Sequence, residues 1–320
     1  MTSKTAKRAM RATAAALFAM AAANTTTPAR AQDAATTGAN APAAASQPAP
    51  EGGYEVHDKR RPQPPVVTPG TFSSQDQPGT PPSDAVVLFD GRDLSKWKKG
   101  EELRAGGGKP ERADAGGDQP APWKVEDGAL VVQPHTGMIE TKDQFADVQL
   151  HVEWMEPQGI TGRSQGRGNS GIFLMGLYEL QVLDNYQSET YADGMAGSIY
   201  GQYPPLANAT RPQGQWQVYD VVFHPPKVED GKVTRPATET VFLNGVLVQD
   251  NSQLSGPTQH QKLTSYPGDL PAKGALQLQD HGNPVRFRNI WLRPIPTINE
   301  HPIPSAKSSG ENYYEKGQKH

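Results

Sequence analysis

Cysteine is absent from the chain. That absence excludes disulfide staples, a thiolate zinc site and a cysteine nucleophile. A domain without disulfides must be held by its own core, and about 200 residues can supply one. Long hydrophobic runs are also missing. The apolar run Ala12–Ala23 falls short of the about 20 residues that span a bilayer. No stretch of a dozen residues carries a clean helical stripe of apolar positions, and no repeat of fixed period is visible. Hydrophobic residues supply only 35% of the chain, whereas Gly (32) and Pro (30) are abundant. That mixture fits a turn-rich β domain, loose linkers, or both.

What is present begins with a basic start, Lys4, Lys7, Arg8 and Arg11, followed by the short apolar run and the small residues around Ala29–Ala31. This three-part pattern predicts a secretory signal peptide over residues 1–31, with a short membrane anchor as the alternative. No Cys precedes the cleavage point, which argues against a lipoprotein anchor. Cleavage after Ala31 removes five of the 31 basic residues and no acid, leaving 26 against 34 acidic residues and a net charge of −8. No basic cluster remains to attract nucleic acid, so a small neutral or cationic ligand is the better expectation. The exported product would be periplasmic or extracellular, with no membrane span. Residues 32–83 are rich in Ala, Pro, Thr, Gln and Ser and read as a disordered or polyproline-like linker. Residues 104–122 read as a long surface loop, residues 297–320 as a flexible tail, and residues 84–296 as the folded domain.

Within that domain the strand signals dominate. Asp127-Gly128 lies between two β-rich runs in Trp123–Val132, and Asn244-Gly245 does the same in Thr240–Gln249. Both are strong hairpin signals. A third strand pair is expected over Gly274–Pro294, joined through Asp280–Asn283. In Val148–Met155 the residues Val148, Leu150, Val152 and Trp154 alternate with Gln149, His151, Glu153 and Met155. Short strands, close turns and many glycines predict an all-β sandwich or jelly roll.

The run RGNSGIFLMGLYELQVLDNY, Arg167–Tyr186, reads as two strands with Gly176-Leu177 as a type II′ turn. In its second strand Tyr178, Leu180 and Val182 share one face, and Glu179, Gln181 and Leu183 share the other. One sheet face of a sandwich is core and the other is not. Glu179 and Gln181 are therefore expected on an outer face, about 6–7 Å apart along the strand. The same parity puts His151 and Glu153 on the outer face of their own strand. Solvated outer-face polar residues are ordinary, but this face carries Glu, Gln and His with few Lys, which suggests a polar groove.

LFDGRDLSKW (Leu88–Trp97), WKVEDGALVV, FADVQLHVEW, RGNSGIFLMGLYELQVLDNY, TYADGMAGSIYGQYPPLANA, WQVYDVVFHPP, VFLNGVLVQDN and LQDHGNPVRFRNIWLRP occur in this order. Together they resemble the bacterial 3-keto-disaccharide hydrolase family over about Val86–Pro296. The resemblance implies a concanavalin A-like jelly roll and chemistry on glycosides oxidised at C3. A C3 ketone acidifies the C2 hydrogen, so elimination of the C1 substituent and readdition of water amount to hydrolysis. This route needs a base, an acid at the leaving oxygen, and a donor to the enolate oxygen. Glu179 is the first choice for base or metal-ligating carboxylate, His281 for its acid/base partner, and Glu153 for an alternative carboxylate. Asn169 and Gln181 are candidates for binding sugar hydroxyls, and Arg163 or Arg167 for stabilising the enolate. Asp193 and Tyr200 are candidates for a loop wall. Glu179, Glu153, Asp184 and His281 could hold a divalent metal, though no spacing demands one. Two alternatives stand beside this reading. One is a carbohydrate-binding module, which would want exposed aromatics. The other is a two-carboxylate glycosidase, with Glu179 partnered from another strand such as that of Glu153.

Overall fold

The computed structural model describes residues 57, 59–61, 63–101 and 117–295. The expected signal peptide, much of the expected linker, the expected tail and part of the expected 104–122 loop lie outside them. Among the described residues the strands are β1 (Val86–Phe89), β2 (Trp97–Lys99), β3 (Lys124–Glu126), β4 (Ala129–Val131), β5 (Ile139–Thr141), β6 (Val148–Met155), β7 (Ser170–Leu174), β8 (Tyr178–Val182), β9 (Gln217–His224), β10 (Lys227–Glu229), β11 (Lys232–Arg235), β12 (Thr238–Leu243), β13 (Val246–Gln253), β14 (Gln277–Leu278) and β15 (Arg286–Pro294). They form an eight-stranded antiparallel sheet, β13-β12-β9-β6-β15-β4-β3 with β1 also on β15, and a five-stranded sheet, β2-β5-β14-β7-β8. β10 and β11 make a separate ribbon. No described helix is long and apolar enough to cross a membrane.

The strands alternate because one face of each is buried against the other sheet. Val148, Leu150, Val152 and Trp154 of β6 meet Tyr219, Val221 and Phe223 of β9 and Tyr178, Leu180 and Val182 of β8 in one apolar cluster. The sheets touch directly. The Tyr178 and Phe223 rings lie 5.7 Å apart, and the Tyr219 hydroxyl donates to the Gln181 carbonyl at 2.7 Å. This is the stacked sandwich that the strand pattern and the turn pairs imply.

Three expectations need correcting. The β7–β8 turn is centred one residue earlier. Met175 and Gly176 both have positive φ (56° and 66°), and Leu177 N–H donates to the Leu174 carbonyl at 3.0 Å. That is type I′ chemistry rather than type II′. β14 and β15 are not a hairpin: β14 pairs with β5 and β7, while β15 pairs with β6, β4 and β1. The Asp280–Asn283 turn carries the chain from one sheet to the other. Asp280 braces it by accepting from the N–H groups of Thr136, Gly137 and Gly282.

The last part of the expected linker is bonded to the domain. Thr71 and Thr80 pair across a turn, and Thr68 N–H donates to Ser83. Gln75 exchanges hydrogen bonds with the Trp216 backbone, and Arg288 donates to the carbonyls of Ser74 and Gln75. The folded body therefore begins well before Asp84.

Candidate active site

Register across the five-stranded sheet defines one row of side chains. Glu179 on β8 stands opposite Phe173 on β7, Phe173 opposite Gln277 on β14, Gln277 opposite Glu140 on β5, and Glu140 opposite Lys98 on β2. Directly opposed residues share a face, so these five lie on the face turned away from the core. In the next row Gln181 opposes Gly171. A Cβ on Gly171 would sit 2.5 Å from Glu179 Oε1 and 3.1 Å from the Phe173 ring. The missing side chain leaves the hollow that the Glu179 carboxyl occupies.

Glu179 keeps the outward parity read from its strand, yet it is only 5% exposed. Loop residues bond its backbone. Tyr200 N–H donates to the Glu179 carbonyl, and Glu179 N–H donates to Thr258 Oγ1, so both segments are pinned along the free edge of β8. The Tyr200 hydroxyl bonds Tyr191 at 2.7 Å and His260 Nδ1 at 3.2 Å, and its ring stacks on His260. No described side chain offers the Glu179 carboxyl a hydrogen bond or a cation, and burial alone pushes it up to about 8. At neutral pH it is a carboxylic acid. At this residue, expected as base or metal-ligating carboxylate, burial favours the protonated form. Burial, reinforced by Tyr191, raises the Tyr200 phenol well above its ordinary value, so it too stays protonated.

Beside this acid lies a set of amides. Gln181 Nε2 donates to Gln165 Oε1 at 2.9 Å and to the Gly194 carbonyl at 3.3 Å, while its Oε1 accepts from Val182 N–H. Both Gln181 donors are consumed, so it fastens β8 to the neighbouring loops rather than offering donors to a sugar. Asn169 Nδ2 donates to Gln165, and Asn169 N–H donates to Asn283. Its Oδ1 is buried and has no partner among the described residues. Asn169 therefore joins the amide set to the turn that holds His281.

His281 is exposed in that turn, at a shallow pocket of about 390 Å³ shared with His135 and Asp280. It lies four residues beyond Gln277 and two strands from β8. No direct hydrogen bond joins the two. Tyr200 is bonded to the Glu179 backbone, the Asp193 carbonyl accepts from Gly201 N–H, and electrostatics couple both Asp193 and Glu179 to the Tyr200 phenol.

Other assignments fail on geometry. Glu153 faces outward on the eight-stranded sheet, the opposite side of the sandwich from Glu179. Parity distinguishes inside from outside but not one outside from the other. Its carboxylate accepts from Arg288 at 2.7 Å, Asn289 at 2.7 Å and Ser73. Burial opposes ionisation there, but hydrogen bonds from His151, Ser73, Asn289 and Arg288 outweigh it and hold the carboxyl at about 2. We expect Glu153→Gln to lower the melting temperature and leave kcat unchanged. A lost kcat at full stability would return Glu153 to the site. Arg167 is tied to Asp184, which also accepts from Gln213 and Tyr186 N–H, so neither is free for an enolate or a metal. Arg163 is exposed at the start of a short 3-10 turn. The four residues considered for a metal are not brought together. Among the described residues no group of three or more His, Asp or Glu converges.

The sequence reading missed Gln277, Glu140 and Lys98 on the same face, and Tyr191, His260 and Gln165 in loops. Gln277 and Gln279 alternate with Leu276 and Leu278, so that signal was present. The loop residues have no periodicity to betray them.

Comparison with known proteins agrees with this architecture. The model of the 3-keto-alpha-glucoside-1,2-lyase-like domain matches residues 84–293. A 3-keto-disaccharide hydrolase from Bacteroides thetaiotaomicron is 23% identical over 253 residues, 66% of this chain and 78% of the relative. The crystal structure of a candidate glycosyl hydrolase from Parabacteroides distasonis is 44% identical, with a TM-score of 0.63 over 73% of this chain and 93% of that one. A second structure from the same organism is 21% identical with a TM-score of 0.46, covering 67% and 94%. The chain is thus a member of the 3-keto-alpha-glucoside-1,2-lyase-like family, a glycoside-processing β-sandwich.

Proposed function

We propose that the domain cleaves glycosides whose sugar carries a ketone at C3, by elimination and rehydration, and that it does so after export. The observation that carries this reading is the Glu179 carboxyl, buried on an otherwise polar sheet face with no hydrogen-bond partner among the described side chains. A carboxyl kept protonated by its surroundings serves proton donation, not water activation. In this scheme Glu179 protonates the glycosidic oxygen as the C1–O bond breaks. The C2 hydrogen is taken by a base, for which His281 is the candidate. The Tyr200 phenol, held by His260 and Tyr191, donates to the C3 oxygen as negative charge grows there. Water then adds at C1 and a proton returns to C2, so the net change is hydrolysis. The basic and apolar opening of the chain supports export.

The two-carboxylate alternative loses its partner, because Glu153 lies on the other sheet. The binding-module alternative gains something, since Tyr191, about half exposed, and Tyr200 stand beside the acid and could stack on a sugar. Binding alone gives no reason for a neutral carboxyl with no hydrogen-bond partner. Incubating the protein with a glucoside and with its 3-keto form separates the three. Release of the leaving group from the keto form only is expected. Release from both forms supports a conventional glycosidase, and binding without release supports a module.

A further inference from the structure

Three amides surround Gly171, whose missing side chain makes room for the Glu179 carboxyl. Gln181 opposes it on β8. On the β14 side Gln279 N–H donates to the Gly171 carbonyl at 2.9 Å. Gln279 shares the outward parity of Gln277, because Leu278 between them belongs to the core. Asn169 precedes Gly171 by two residues, and its amide and that of Gln181 both donate to Gln165 Oε1, at 3.3 and 2.9 Å. The three amides differ in what they leave open. Gln181 is consumed. Asn169 Nδ2 also donates to the Gln165 carbonyl at 2.7 Å, so the amide is fixed with Oδ1 turned away from Gln165. Asn169 is 2% exposed, and that oxygen has no partner among the described residues. Gln279 Oε1 is buried and without a partner in the same way. Ser170 Oγ donates to the Gln279 carbonyl at 2.7 Å and helps to hold its backbone. The site thus keeps two buried carbonyl oxygens open, and an unpaired buried acceptor is costly.

We propose that Asn169 and Gln279 determine specificity, their open carbonyls accepting from two hydroxyls of the sugar on the side of the ring away from its ketone. This rests on the reading of the site as one that binds a keto-glycoside. The argument is one of polarity. Tyr200, bonded to the Glu179 backbone at the free edge of β8, brings a phenol to one side of the acid. Asn169 and Gln279 bring carbonyls on the other, from β7 and β14. Ketone and ether oxygens only accept, so neither pairs with an open carbonyl, whereas a hydroxyl donates. The ring is therefore turned with its C3 oxygen toward Tyr200 and a hydroxyl edge toward Asn169 and Gln279. A sugar lacking those hydroxyls leaves both carbonyls buried and unpaired. Sites built to bond a substrate hydroxyl reject analogues without it far more strongly than apolar pockets reject a missing methylene.

The test is calorimetric titration of the full chain with methyl glucoside and with analogues carrying fluorine in place of the hydroxyl at C2, C4 or C6. Fluorine keeps the size of the group but cannot donate, and none of these ligands is consumed in this scheme. The wild type is expected to lose about tenfold in affinity at each of two positions, or ~1.4 kcal/mol apiece. Gln279→Met keeps the length of the side chain and removes its carbonyl, so one of the two penalties should vanish. Asn169→Leu should abolish the other. That variant also loses the bonds to Gln165, so a thermal melt accompanies it, and Gln279→Met alone decides if it unfolds. Equal binding of the parent and all its analogues overturns the proposal, as do penalties that survive Gln279→Met. A wild type that binds no glucoside at all overturns it together with the sugar-binding reading. Because no turnover is measured, a failure to release product from the keto substrate would sink the cleavage reading independently of this result.

Discussion

Glu179→Gln is expected to lose ~10²–10⁴-fold in kcat, the range a positioned acid contributes, while remaining folded. The substitution keeps size and shape. It also changes no charge at neutral pH, because burial already holds the carboxyl at about 8. What it removes is the ability to give up a proton. Gln can still donate a hydrogen bond to the leaving oxygen but cannot complete the transfer. The pH dependence adds a second readout. The competent form of Glu179 is the protonated one, so the alkaline limb of kcat/KM should fall as pH rises through about 8. The variant should lack that falling limb. The measurement is the rate of release from an aryl 3-keto-glycoside across that range, beside a thermal melt. Full turnover in the variant, or an unchanged falling limb, would remove Glu179 from the role of acid.

That role could not be read from the strand alone. Alternation showed that Glu179 points away from the core, and the Asp127-Gly128 and Asn244-Gly245 pairs marked their hairpins correctly, because these signals are local. Whether an outward carboxylate is solvated depends on what lies over it. Here Tyr200 and Thr258 bond the Glu179 backbone from loops that have no period and come from distant parts of the chain. The same limit explains Glu153. Its parity was right, but the sheet it belongs to is fixed by the pairing of β6 with β9 and β15, contacts far apart in sequence. It also explains residues 68–83. Their Pro- and Ser-rich composition reads as linker, and nothing local shows that Arg288, from the other end of the domain, donates to the carbonyls of Ser74 and Gln75. The assignment of β14 and β15 to one hairpin failed similarly. Two adjacent strands with a turn between them look alike whether they pair or part.

Glu239 carries the largest expected effect on stability. It lies on β12 with the inward parity of Val241 and Leu243, is fully buried, and neither carboxyl oxygen has a partner among the described residues. Burial raises it from 4.5 to about 8. Between those values the folded chain holds a proton that the unfolded chain has released. Stability is therefore full below pH 4.5, falls by ~1.4 kcal/mol per pH unit, and reaches its floor above about 8. Glu156 and Glu179, each raised to about 8 chiefly by burial, slope the same way. So does His151. Burial lowers it, but the hydrogen bonds it donates to Asp220 and Glu153 overcome this and hold it at about 9, and the stability it contributes is lost as pH rises through that value. Only the difference between wild type and variant isolates Glu239. Glu239→Gln removes a loss on the order of 4 kcal/mol at pH 8 and in exchange buries an amide without partners, at about 1–3 kcal/mol. The net gain near pH 8 is about 2 kcal/mol, worth roughly 4–8 °C in Tm for a domain of this size. Below pH 5 the sign reverses, because the neutral acid there costs nothing to ionisation and the amide penalty stands alone. The two melting curves against pH should therefore cross. Curves that run parallel would mean that Glu239 is ionised and paired in the folded protein, and that its burial is not what sets the alkaline limit of the fold.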